Sequence, residues 1–307
     1  MLETSRVDVV GVGLNATDTV ISVGRYPERG SKTEYTEDSV QPGGSVATAV
    51  IACQIWGLST RYVGKLGGDD AGNLHMREFA RTGVDARVIR EPGVASARSV
   101  ILVDGLGERT VLARRDGQMV LLPPELQREW ITNARLLHLD GHDMDAALCA
   151  ARWAKEAGIP IVADLDAIYP GIEDLLALID YPVLSRDFPT RLTGVTDMGI
   201  ALQTIYRRFL PKLLDATLGA EGVLAFDGKR LTHRSAFIVP AVDTTGAGDI
   251  FHAGFIYGLV QKWPLEQMLD FACAAAGLNC TALGARGGIE TLARIEQFLQ
   301  SGKRHTA

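Results

Sequence analysis

Apolar and polar positions along the chain follow two alternating periods. Short apolar runs at Val7–Val12, Arg61–Val63, Leu136–Leu139, Ile159–Ala163 and Tyr181–Leu184 read as buried strands. Between them, Gly44–Leu58, Ala71–Arg81, Met144–Ala157 and Ile172–Ile179 carry apolar residues at helical spacing, in the first case Val46, Val50, Cys53 and Ile55. This alternation predicts an α/β fold: a doubly wound, mostly parallel sheet flanked by helices. In such folds the crossovers are right-handed and ligands gather at the carboxyl ends of the strands. The last third is rich in Gly, Ala and Leu and predicts helices over Asp249–Lys262, Leu265–Leu283 and Ala293–Gln300.

Two stretches break the alternation. Thr17–Gln41 holds the strand-like segments Ile21–Val23 and Lys32–Tyr35 but no helix. Val94–Arg114 reads as a hairpin, Val100–Val103 and Thr110–Leu112 around the turn Asp104-Gly105-Leu106-Gly107. Strands that leave the alternation in two places can pair with each other, which predicts a small β-sheet lid formed by about 17–41 and 94–114. There is no repeat, and Pro123-Pro124 and Pro211 punctuate the chain rather than link domains, so residues 1–307 read as a single domain.

Composition narrows the function. With 307 residues there is ample length for a core, and 47% hydrophobic against 22% charged residues argues against disorder. A net charge of −6 argues against a nucleic-acid-coating role, because phosphate binding usually needs a basic face. No apolar run reaches transmembrane length, and the polar Met1–Arg6 lacks the layout of a signal peptide. Cys53, Cys149, Cys273 and Cys280 form no CxxC pattern, which fits reduced thiols in a cytoplasmic protein.

The candidate chemistry sits in glycine clusters. Asp243-Thr244-Thr245-Gly246-Ala247-Gly248-Asp249 precedes the apolar run Ile250–Val260. Small residues before a helix let backbone N–H groups converge, and the helix dipole adds to them, which makes an anion site. Asp249 in the first turn is placed either to cap the helix or to accept a proton from a hydroxyl beside a bound phosphate. Pro42-Gly43-Gly44-Ser45 opens the Val46–Leu58 helix and permits close approach of a polar ligand. Gly64–Gly72 has no Gly-Lys-Ser/Thr ending and so is no P-loop; it reads as a turn capped by Asp69 or Asp70. Thr217–Gly222 follows a strand and suits a backbone passing close to a nucleotide. Gly11-Val12-Gly13 imitates a dinucleotide fingerprint, but no helix can run through the Gly24, Pro27 and Gly30 that follow. Asp18 reads as a binder of substrate hydroxyls or an Asx-turn residue.

These marks, in this order from about Val7 to Leu299, resemble the ribokinase-like sugar kinases of the pfkB family. Asp243–Asp249 with Ile250-Phe251 resembles the second family signature. Gly43-Gly44 with the Ala47–Leu58 helix and Gly64–Gly72 resembles the first. Thr217–Gly222 is similar to the nucleotide loop, and Gly284–Ile289 to the C-terminal turn. The resemblance implies ATP-dependent phosphorylation of a hydroxyl, primary by expectation, on a sugar-like small molecule. Asp249 is implied as general base, with the backbone of Gly246, Ala247 and Gly248 as the anion hole. Asp18, Gly43, Gly44 and Thr48 are implied at the substrate. Thr217, Gly219, Gly222 and Thr244 are implied at the nucleotide, with the Cys273–Cys280 helix near the adenine. Mg²⁺ would bridge the phosphates, and the family leaves room for a monovalent cation.

Two departures stand out. The metal-organising Asn-x-x-Glu motif of many members is replaced by Ser185-Arg186-Asp187-Phe188, which leaves Asp187, Asp164 or Asp166 as metal candidates. The Asn usual in the first helix is Thr48. Both changes are similar to the branch that includes sulfofructose kinase. Arg98, Arg114, Arg115 and His142 are candidates to read an anionic group, and two or more facing the pocket would point to an anionic sugar. Kept beside the sugar-kinase expectation are a nucleoside kinase of the same family and a non-catalytic sugar- or nucleotide-sensing protein. A homodimer through the lid would cover an exposed strand edge.

Overall fold

The computed structural model describes residues 5–306; Met1–Thr4, the start of the polar segment read above, and Ala307 lie outside the described residues. The chain opens with β1 (Val7–Val12), β2 (Ala16–Val23) and β3 (Tyr35–Gly43). Alternation follows in α1 (Ser45–Ile55), β4 (Thr60–Gly67), α2 (Asp70–Thr82) and β5 (Asp85–Glu91). The antiparallel hairpin of β6 (Arg98–Val103) and β7 (Arg109–Arg114) interrupts it. Then come α3 (Arg128–Thr132), β8 (Ala134–Asp140), α4 (Met144–Glu156), β9 (Ile161–Leu165), α5 (Ile172–Leu176) and β10 (Tyr181–Leu184). Helices α6 (Phe188–Thr193) and α7 (Met198–Phe209) lead to β11 (Leu214–Thr217), β12 (Val223–Phe226) and β13 (Leu231–Arg234). The chain closes on α8 (Ala247–Val260), α9 (Leu265–Asn279) and α10 (Leu292–Ser301).

The main sheet has nine strands in the order β13-β12-β11-β10-β9-β8-β1-β4-β5. It is parallel from β11 to β5, and β12 and β13 add an antiparallel edge. Because side chains alternate across a strand, adjacent residues feed opposite cores. Val9, Leu136 and Val162 pack with α1, α8 and α9. Val10, Leu137 and Ile161 pack with α4 and α5 on the other face. Both faces being covered, the central strands read as unbroken apolar runs.

The two segments that broke the alternation form a separate four-stranded sheet, β3-β2-β6-β7. One face is apolar and buried at Val20, Ile101 and Val103. The register sets Val40, Thr19, Val100 and Leu112 in one row on the other face, where Val40, Val100 and Leu112 are exposed. Here the expected boundaries shift: β3 begins at Tyr35 rather than Lys32 and runs through Pro42 and Gly43. The helix expected to reach Leu283 stops at Asn279, where the chain turns toward the left-handed Gly284. No helix follows β1, so the apparent dinucleotide fingerprint leads straight into β2.

Candidate functional site

In the sheet order, β1 and β8 are neighbours from which the chain winds in opposite directions, and such a switch point is where open α/β sheets bind ligands. Asp140, the last residue of β8, occupies it. Its carboxylate accepts from Leu14 N at 2.9 Å, Ser45 Oγ at 2.7 Å and His142 N at 3.1 Å. Burial works to raise its pKa, but His142 and these donors outweigh burial and hold it well below the usual carboxylate range. Burial opposes charge on His142, yet Asp140, Asp166 and Asp164 raise its pKa to about 9.

Asp249 belongs to the start of α8. Gly246, the N-cap of α8, has φ of 76°, a region that costs L side chains strain, and a Cβ there would collide with the Ala285 carbonyl. The left-handed turn sets the first N–H groups of α8 free of intrahelical partners. Asp249 is half-buried in that first turn. Burial, and then the negative charge of Asp164, push its carboxyl up to about 7; His252 and Arg109 pull the other way. His252 Nε2 lies 3.2 Å from Asp164 Oδ1. Asp164 stays below the usual range despite its burial because His252 and His138 face it.

The loop that carries the first turn is clamped from behind. Buried Asp243 accepts from Thr245 N and Gly284 N, each at 2.8 Å. From the second sheet, Arg109 Nη1 donates to Thr244 O and Oγ1, and Gly107 O accepts from Thr244 N and Oγ1, each of the two at 3.1 Å. The hairpin tip therefore rests on the Asp243–Asp249 loop.

Asp18, on the inner face of β2, is buried, and burial lifts its pKa to about 6 against the Ser99 hydrogen bond and the Arg286 charge. A Cβ on Gly43 would collide with that carboxylate, so Gly43 and Asp18 share one surface. Gly44 takes φ of 91° to turn the chain from β3 into α1. Thr48 is buried and its Oγ1 accepts from Arg286 Nε at 3.0 Å. Arg286 also donates to Gly43 O at 2.7 Å and pairs with Glu78.

The remaining candidates sort by location. Thr217 ends β11, and Gly219 and Gly222 frame the turn behind it with φ of 59° and 99°. Arg186, at the end of β10, donates to Leu218 O and pairs with Glu221 across this turn. Asp187 is exposed at the start of α6, whereas Asp164 faces the Asp249 cluster. Arg98 pairs with Asp69 at 2.8 Å, and Arg115 with buried Asp143 at 2.7 Å. Asp69 rather than Asp70 caps α2, accepting from Gly72 N. Asp140, His252 and Asn279 were not singled out from the sequence, and Arg286 entered that reading only within the Gly284–Ile289 turn. The end-of-strand position of Asp140 and the place of His252 one helical turn after Asp249 were local signals; Asn279 and the partners of Arg286 are marked only by contacts made in the fold.

A left-handed glycine turn opening a helix with a carboxylate in its first turn, beside a doubly wound sheet with a second sheet bearing on it, is the architecture of the ribokinase-like fold. Residues 9–292 match the pfkB family of carbohydrate kinases, and the chain belongs to that family. It is 28% identical over 300 residues to the ATP-dependent ribose-1-phosphate kinase of Halopiger xanaduensis, covering 91% of this chain and 94% of that protein. The crystal structure of a protein provisionally named a ribokinase, from Agrobacterium tumefaciens, superposes with a TM-score of 0.89 at 25% identity, covering 97% of this chain and 98% of that one. Arabidopsis thaliana ribokinase, solved with ribose and ATP, superposes at 0.80 with 23% identity, covering 97% and 99%.

Proposed function

We propose that this kinase transfers the γ-phosphoryl group of ATP to a primary hydroxyl of a neutral pentose or ketose, with Asp249 as the general base. The observation that carries this reading is the place of Asp249, in the first turn of a helix opened by left-handed Gly246; burial pushes its carboxyl up to about 7, where a base is most effective near neutral pH. The backbone of Gly246, Ala247 and Gly248 would take the transferring phosphoryl; a side chain on Gly248 would meet open space, which leaves room for it. Asp18 and the backbone at Gly43 and Gly44 would hold the sugar. Positioning and charge stabilisation then supply the rate, because phosphoryl transfer asks little covalent chemistry of the protein.

A neutral acceptor is favoured by where the cations go. Arg98, Arg115 and His142 each face a carboxylate of this chain, and Arg114 is exposed at the end of β7. The acceptor of the Halopiger relative is named as a sugar phosphate, so sugar phosphates form the second arm of the assay. Mg²⁺ supplies charge neutralisation on the phosphates. Such an ion is held mainly by the phosphates, with one or two protein carboxylates beside them. Asp164 fits that role better than Asp187, which is exposed on α6.

The test is ADP release with Mg-ATP against neutral sugars, sugar phosphates and nucleosides, with Asp249→Asn as control. Release with neutral sugars, lost about 10²–10⁴-fold in the variant, supports the reading. Release only with sugar phosphates or nucleosides overturns the acceptor, and none at all favours a sensor. Residues 1–307 would act as one domain, with 17–41 and 94–114 as its lid. The exposed row Val40, Val100 and Leu112 suits pairing of two lids in a homodimer, and sedimentation as a monomer would remove that proposal. Four free cysteines suit a reducing, cytoplasmic setting, and no helix among the described residues is long and apolar enough to cross a membrane.

A further inference from the structure

The Asn279 side chain, at the end of α9, is fully buried and makes three hydrogen bonds. Its Nδ2 donates to Thr245 O at 3.3 Å and to Ala285 O at 3.1 Å, and its Oδ1 accepts from Gly288 N at 3.2 Å. The orientation of the amide is fixed by chemistry, since two carbonyls can only accept and a backbone N–H can only donate. Thr245 directly precedes the N-cap of α8, and Ala285 and Gly288 belong to the turn behind it. One neutral side chain thus ties the anion loop to the 284–288 turn, beside the tie made by Asp243.

Two buried carbonyl oxygens converging on one point are what a monovalent cation such as K⁺ binds. Here that point is taken: the amide nitrogen donates one N–H to each carbonyl and satisfies both. A cation placed there would have to displace a buried amide and strand its donors. The residues present therefore do not fit a monovalent ion at this place. We propose that Asn279 is a positioning residue that substitutes for such an ion, so that the anion loop is held without K⁺ and catalysis is independent of monovalent cations. The inference rests on the kinase reading for its rate arm but not for its stability arm.

The experiment compares wild type and Asn279→Ser in KCl, NaCl and tetramethylammonium chloride at equal ionic strength, reading both turnover and melting temperature. Wild type is expected to turn over within about twofold in all three salts, with the same melting temperature. Asn279→Ser frees both carbonyls and is expected to lose about tenfold or more in tetramethylammonium chloride, to recover in KCl, and to gain melting temperature with K⁺ alone. A merely structural loss would not be rescued by one cation. Severalfold K⁺ activation of wild type, a K⁺-specific rise in its melting temperature, or a folded variant equal to wild type in every salt would overturn the proposal. If the variant does not fold, the wild-type salt series decides it. If no acceptor is phosphorylated in any salt, the kinase reading fails while the melting series still decides the role of Asn279.

Discussion

His252 and Asp164 form an ion pair of 3.2 Å one helical turn from Asp249. The pair places one charge of each sign beside the proposed base: Asp164 raises its pKa and His252 lowers it. Burial opposes charge on His252, but Asp164 raises its pKa and so favours the imidazolium. Replacing His252 with Gln keeps a donor toward Asp164 and removes the positive charge. The Asp249 carboxyl then rises further, and the acid limb of kcat/KM moves to higher pH. At pH 7 the variant should lose about three- to tenfold and recover by about pH 8.5. A pH–rate profile checks this; an unmoved limb in a folded variant would remove the coupling.

The wild-type pH profile follows from the same carboxyl. A base must be deprotonated, and burial holds Asp249 near 7. The kcat/KM value should therefore rise with pH, about tenfold per unit well below 7, and flatten above it. A flat profile between about pH 5.5 and 8 would assign proton removal elsewhere.

Arg286 predicts a structural cost. It is buried and joins Gly43 O, Thr48 Oγ1 and Glu78, so one side chain links the second sheet, α1 and α2. Burial works to lower its pKa, but the facing carboxylates of Glu78, Asp18 and Asp249 favour its charge. Arg286→Met should cost about 3 kcal/mol in urea unfolding, because it strips Gly43 O and Thr48 Oγ1 of their donor and leaves half-buried Glu78 with only the longer Arg81 contact of 3.8 Å. Arg286→Lys should recover only part, since an ammonium cannot span three acceptors in a planar fork.

Asp215, in the centre of β11, is fully buried with neither carboxylate oxygen hydrogen-bonded. Burial raises its pKa well above the usual value, so the folded state holds a proton that the unfolded state gives up near pH 4. Its contribution is favourable at low pH and is lost as pH rises toward the folded value. Asp215→Leu should stabilise the protein by about 1–3 kcal/mol at pH 8 and less at pH 5. Melting curves at the two pH values test this; equal shifts would mean that the buried carboxyl titrates at its ordinary value in the folded state.

The alternation was legible because both faces of the sheet are covered, which leaves its strands uniformly apolar. The second sheet was legible because two segments failed the helical period. β5 was not read: every residue of Asp85–Glu91 is half-buried, and charges interrupt it. β13, Leu231–Arg234, is a short polar edge strand. The place of Asp249 in the first turn of α8, behind the glycines, was legible from local spacing. Asp140, Asn279 and Arg286 act on partners elsewhere in the chain, with Arg286 reaching Thr48 over 238 positions. Arg98 and Arg115 carried a readable charge, but whether Asp69 and Asp143 had already claimed it is a matter of tertiary packing.

The Asp104–Gly107 turn looks, from its exposure and its small residues, like a convenient place to graft a peptide tag or open a permuted chain. Its contact with Thr244 removes that freedom, because the turn also braces the Asp243–Asp249 loop that opens α8. Lengthening it would silence the enzyme while leaving its fold intact. The tip around Arg29–Thr33 is exposed, and an insertion there would leave the Gly107–Thr244 contact in place.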